Sequence, residues 1–70
     1  MNNRDLMCVE FYAVLEPDRL LGAVDVPRKT GQDAARALGK AICRIRGMDA
    51  VNALLLDRDG NPVERMIIHR

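Results

Sequence analysis

The densest group of ligand-type side chains is Asp57-x-Asp59-Gly60-Asn61. Oxygen donors at alternate positions suit a hard cation such as calcium. The common calcium loop places glycine at its sixth position and a bidentate glutamate at its twelfth, between two helices. Here glycine is fourth, position twelve is Ile68, and the flanking segments read as strands. The loop is therefore expected to do turn chemistry. Gly60 can adopt the left-handed conformation of a short reversal, and Asp57, Asp59 and Asn61 can bond to nearby backbone.

Cys8, Cys43 and His69 are the other candidate ligands or nucleophiles. Two cysteines without a CxxC pair, with one histidine, do not make a usual zinc set. Nothing in their spacing supports a Cys–His nucleophile pair. Helical phase puts Cys43 on a polar face, as an exposed thiol. The segment GQDAARALG lacks the glycine spacing of a phosphate-binding fingerprint. Its free N–H groups could meet an anion, but Asp33 competes for them. No two acid–base groups are spaced for shared chemistry. We expect no metal, no cofactor and no enzymatic activity.

The basic residues are more informative. Between positions 28 and 46 stand Arg28, Lys29, Arg36, Lys40, Arg44 and Arg46, against Asp33 alone, although the whole chain carries a formal charge of only +1. Arg36, Lys40 and Arg44 are four apart, so they form one stripe along a helix. Such a stripe could follow phosphates, with affinity falling as salt rises. No aromatic platform accompanies it, and no second helix completes a helix-turn-helix. An acidic protein surface fits the stripe as well as nucleic acid does.

The element that positions this stripe is TGQDAARALGKAICRIRG, residues 30–47. Thr30 is placed for an N-cap and Asp33 for a capping box. Gly47 fits the left-handed position after a helix. At about 100° per residue, Ala34, Ala35, Ala37, Leu38, Ala41, Ile42 and Ile45 share one arc of roughly 160°, the expected core side. Ala41 lies near its centre, so a bulky residue there should overpack the core. Met48 is placed to pack back on the last helical turn.

Four strands surround this helix in the sequence. Residues 7–15 alternate Val9, Phe11, Ala13 and Leu15 against Cys8, Glu10, Tyr12 and Val14. Residues 16–19, EPDR, read as a turn with Pro17 at its second position. A second strand covers 20–26, with Leu20, Gly22, Val24 and Val26 on one face. Gly22 is a candidate bulge, and Pro27 ends the strand or marks its edge. A very short strand after an irregular 20–23 loop is the alternative. Strands at 50–56 and 63–69 follow, joined by DRDGN, and both carry apolar groups on both faces. Residues 1–6 read as a loose lead-in.

These elements predict an α+β fold of order ββαββ: a mainly antiparallel four-stranded sheet with one helix on one face, as a single domain over 1–70. The strand order is left open. A core of Ala, Val, Leu, Ile and Met in a 70-residue chain is thin, and self-association would add burial. Tyr12, Leu54, Leu56 and Ile67 are the candidate self-association residues, because one helix cannot cover both sheet faces. No apolar run has transmembrane length. The N-terminus lacks the pattern of an export signal, and the sparse cysteines suit a reducing cytoplasm. The expected function is that of a small cytoplasmic regulator or inhibitor acting through protein contacts, as a homodimer. This is a form common among phage and plasmid accessory proteins. The alternative is a nucleic-acid-binding regulator using the basic helix face.

Overall fold

The computed structural model describes residues 5–70, so most of the expected lead-in, residues 1–4, lies outside the described residues. The order is β1 (Leu6–Ala13), β2 (Leu20–Pro27), α1 (Gly31–Arg46), β3 (Ala50–Leu56) and β4 (Pro62–His69). All four strands form one sheet, ordered β2-β1-β3-β4, and each neighbouring pair is antiparallel. The helix packs on one face of this sheet, in the α+β arrangement expected. The strands before and after the helix are not neighbours, because β1 lies between them.

The alternation of β1 and β3 decides which residues meet the helix. Val9, Phe11 and Ala13 pair across the ladder with Leu55, Ala53 and Val51, and all six are buried. Val26 and Ile68 extend the same layer into the outer strands. The first strand stops before its expected end. The Ala13 N–H donates to the Arg19 carbonyl at 3.2 Å, closing the hairpin. Leu15, expected in the core, is therefore in the turn and 95% exposed. In β2 the register shifts opposite Phe11 and Tyr12, so Leu21 is the extra residue of a bulge beside Gly22. The bulge moves Leu20 out of register with Gly22, Val24 and Val26. It lies opposite Tyr12 instead and is exposed.

The helix ends differ in how they are made. A short 3₁₀ turn over Arg28–Thr30 feeds directly into α1, and the Gly31 N–H donates to the Arg28 carbonyl. The Thr30 side chain makes no capping hydrogen bond, so the expected capping box does not form. The tight turn has already supplied a backbone acceptor there. At the other end Gly47 has φ of 67°, and the N–H groups of Gly47 and Met48 both reach the Cys43 carbonyl. Met48 packs against the core as expected.

The helix presents an unexpected side to the sheet. Its buried residues are Gly31, Ala35, Gly39 and Cys43, a stripe of small side chains at intervals of four. Their mean direction lies about 100° round the helix from the centre of the expected apolar arc. Ala34 and Ile42 still touch the core, but Ala41 is only half-buried, Ala37 and Leu38 are exposed, and Ile45 is 83% exposed. The reason is close approach. A Cβ on Gly39 would stand 2.6 and 2.9 Å from the Cδ1 and Cγ2 of Ile68, and one on Gly31 would stand 2.5 Å from the Met7 sulfur. The helix sinks between the sheet's larger side chains where it carries almost none itself.

Gly39→Ala tests this packing. Alanine favours a helix over glycine by roughly 0.8–1.0 kcal/mol, whereas overpacking a core costs about 1–3 kcal/mol. We expect the clash with Ile68 to win, lowering the urea midpoint, while Ala37→Leu on the exposed side stays within about 0.5 kcal/mol of the parent. A Gly39→Ala midpoint at or above the parent's would refute the close-packing account.

Candidate functional site

The candidate residues divide between the outer side of the helix and the bare side of the sheet. Arg36, Lys40 and Arg44 form an exposed row along α1, as their spacing predicts. Arg36 lies 3.6 Å from Asp33, one turn back, and the Lys40 ammonium donates to the His69 carbonyl of β4 at 3.4 Å. Both pairs are solvated, which leaves the charges available at little cost. Arg46 is exposed but leaves the row, donating to the Leu21 carbonyl of β2 at 3.4 Å. Arg28 and Lys29 are exposed at the helix start. They line a shallow recess with Met7, Gln32, Asp33, Leu55 and Glu64. Gln32 bridges to Glu64 there at 2.6 Å, so the recess contains acids as well as cations.

On the opposite side of the helix from the basic row is an apolar flank that the hydropathy pattern assigns to the core. Leu38, Ile42 and Ile45 face β2, the strand the helix covers least. Between them lies a hollow of about 160 Å³ lined by Phe11, Gly22, Ala23, Val24, Leu38 and Ile42. Gly22 forms part of its floor, and the space above it is open. The signal that could have located this flank is the glycine–alanine–glycine–cysteine stripe. Once that stripe is placed on the sheet, the larger residues must turn aside.

Among the described residues, the far face of the sheet carries no helix. Tyr12, Leu54, Leu56 and Ile67, the expected self-association residues, all lie on it. Tyr12 is opposite Asn52, which is opposite Ile67, while Glu10, Leu54 and Arg65 form the adjacent row. Leu56 is opposite Cys8. Tyr12, Leu54 and Leu56 are half-buried by their neighbours, and Ile67 is 59% exposed. The turn after β1 rims one end, making a hollow of about 480 Å³ against Tyr12, Asn52, Leu54, Arg65 and Ile67. The Tyr12 hydroxyl donates to Glu10 Oε1 at 2.9 Å, and this bond holds the phenol above its ordinary pKa.

The remaining candidates are dispersed. In the DRDGN loop, Asp57 Oδ1 accepts the N–H groups of Asp59 and Asn61, both at 2.9 Å, and Gly60 has φ of 83°. The loop thus performs the turn chemistry expected of it. Among the described residues no three His, Cys, Asp or Glu side chains cluster as a metal site. None of their helices is long and apolar enough to cross a membrane. Cys43 is not the exposed thiol expected. It is fully buried, its Sγ facing the Ile68 carbonyl at 3.9 Å. Cys8 is half-buried on the far sheet face, where burial, then Asp25 and Glu10, push its thiol pKa up. Comparison with protein-family models, characterised proteins and solved structures found no match.

These thiol environments can be read by alkylation. At neutral pH the native protein should label at Cys8 more slowly than a free thiol, because less of it is thiolate. Cys43 should label only on unfolding. Labelling of Cys43 in the native state as fast as Cys8 would contradict its burial.

Proposed function

We propose that this protein is a small non-enzymatic protein-binding module, a regulator or inhibitor that works as a homodimer in the cytoplasm. One observation carries the reading. Along its outward side α1 exposes a cationic row, Arg36, Lys40 and Arg44, toward the β4 edge and an apolar pair, Leu38 and Ile45, toward the β2 edge, with Ala37 on the crest between them. A partner that straddles the helix would gain apolar contact on one flank and charge pairing on the other, the charges selecting it and speeding encounter. The matching surface is a groove that receives the helix, acidic on one wall and apolar on the other. Lys29 adds a cation at the helix start, whereas Arg46 turns to the Leu21 carbonyl of β2.

Affinity capture from the native cell tests this. The parent protein should retain one acidic protein in stoichiometric amount. Leu38→Ser with Ile45→Ser, and separately Arg36→Glu with Arg44→Glu, should each lose it. Both pairs lie on solvent, so circular dichroism should show the fold retained. The reading is abandoned if the parent retains nothing in stoichiometric amount, or if both variants retain the same protein equally.

A second reading is favoured by the row of cations itself: a nucleic-acid-binding regulator using Arg36, Lys40 and Arg44. Three phosphates neutralised on duplex DNA would give a slope of about −2.7 for log affinity against log salt. We expect the protein reading to prevail, so mixed DNA and RNA should not bind at low salt. Binding with that slope, lost in the Arg36→Glu and Arg44→Glu variant, would establish nucleic acid instead.

A further inference from the structure

The bare face of the sheet has a symmetry that identifies its occupant. Its central row runs Glu10 on β1, Leu54 on β3 and Arg65 on β4. The next row runs Tyr12, Asn52 and Ile67 across the same strands. In each row the β3 residue stands between two groups that suit one another, an acid and a base in the first, two apolar side chains in the second. We infer that this face is covered by a second copy of the chain, related by a two-fold axis lying roughly along β3. This rests on the proposal that the protein works as a homodimer, and it assigns the surface that makes one.

The operation can be followed residue by residue. A two-fold axis along β3 lays β1 of one copy over β4 of the other. Glu10 then meets Arg65 of the second copy, and Arg65 meets Glu10 of the second copy, so the pair forms twice. Tyr12 meets Ile67 of the second copy, Leu54 and Leu56 meet their own counterparts, and Asn52 meets Asn52, where two amides can exchange hydrogen bonds. The hollow beside Tyr12, framed by Pro17 and Asn52, is where the Ile67 side chain arrives. An axis set across the strands would instead place Glu10 on Glu10 and Arg65 on Arg65. Like charges in contact oppose that packing, so charge selects one of the two face-to-face arrangements. The result is a helix–sheet–sheet–helix sandwich. Its two sheets lie about 10 Å apart, and both basic helix faces point outward, clear of the contact.

Sedimentation equilibrium of the full chain tests the assignment, with circular dichroism to confirm folding. The parent should be a dimer. Glu10→Arg and Arg65→Glu should each weaken the dimer about tenfold or more, because each breaks the pair twice. The double variant Glu10→Arg with Arg65→Glu restores opposite charges across the axis and should recover most of the affinity. Leu54→Lys should give a folded monomer. A dimer that ignores Glu10→Arg and Leu54→Lys but dissociates with Leu38→Lys and Ile45→Lys uses the helix flank, which overturns this assignment and leaves the homodimer proposal standing. A parent protein that is monomeric at high micromolar concentration overturns both.

Discussion

The contact on which the rest of the structure depends is the one between the Gly39 backbone and the side chain of Ile68. A helix that carries a glycine, an alanine, a glycine and a cysteine at intervals of four can descend onto β3 and β4 until its backbone meets side chains of the sheet. That descent sets the helix's rotation, and the rotation determines the other features of the helix. It buries Cys43. It turns Leu38 and Ile45 toward the β2 side. It leaves Arg36, Lys40 and Arg44 on solvent, with Lys40 close enough to reach the end of β4. A larger residue at any of the four positions would lift or roll the helix, changing which side chains the protein offers to others.

Width supplies the second constraint. A helix with its side chains is about 10–12 Å across, whereas four strands spaced near 4.8 Å make a sheet about 19 Å wide. One helix therefore leaves part of its own side of the sheet uncovered. Since it settles over β3, the uncovered part is the β2 side, where the bulge at Leu21 and the bare position at Gly22 leave a hollow. The opposite side of the sheet is covered by no helix among the described residues. The chain has no further element, among the described residues, over either surface. Its apolar residues outside the core are thus a consequence of architecture, and they coincide with the surfaces where contact with other chains would add the burial that a small core lacks.

Much of this was legible in the sequence wherever the physics is local. The left-handed Gly47, the turn at Asp57–Asn61 and the limits of β3 follow from a few adjacent residues whose conformational preferences are strong. Alternation with period two placed Tyr12, Leu54, Leu56 and Ile67 on a common face, because a strand's side chains have only two directions to take. The cationic row was legible for the same kind of reason, through its spacing of four. What hydropathy could not show was the phase of the helix. Glycine has no side chain to count as apolar, so Gly31 and Gly39 were invisible to a scale that ranks side chains, and Ile45 weighed heavily. Tertiary contact chose the smallest residues instead of the most apolar ones. Leu20 was misplaced by one bulged residue, since a single insertion reverses every face before it. Thr30 was misread because a 3₁₀ turn met the helix end before a side-chain cap was needed.

The two edges of the sheet complete the argument about how such a chain meets another. An edge strand invites pairing through its free backbone groups, and proteins blunt it with prolines, bulges and charge. Here β2 has its bulge at Leu21, Asp25 along its length and Pro27 at its end. On the other edge β4 begins at Pro62, shifts register opposite Leu55 and Leu56, and carries Arg65. Neither edge offers a long, regular ladder. A contact with another chain would therefore fall to side chains, on the faces, where identity matters more than it does along a backbone. On the bare sheet face those side chains are arranged so that a two-fold turn about β3 sets acid on base and apolar on apolar. On the helix they are arranged with all the row's charge of one sign, so a two-fold contact of that face with itself would set like charge on like. The first surface is complementary to itself and the second is not, and under the proposed function this difference would give the like partner the sheet and the unlike partner the helix.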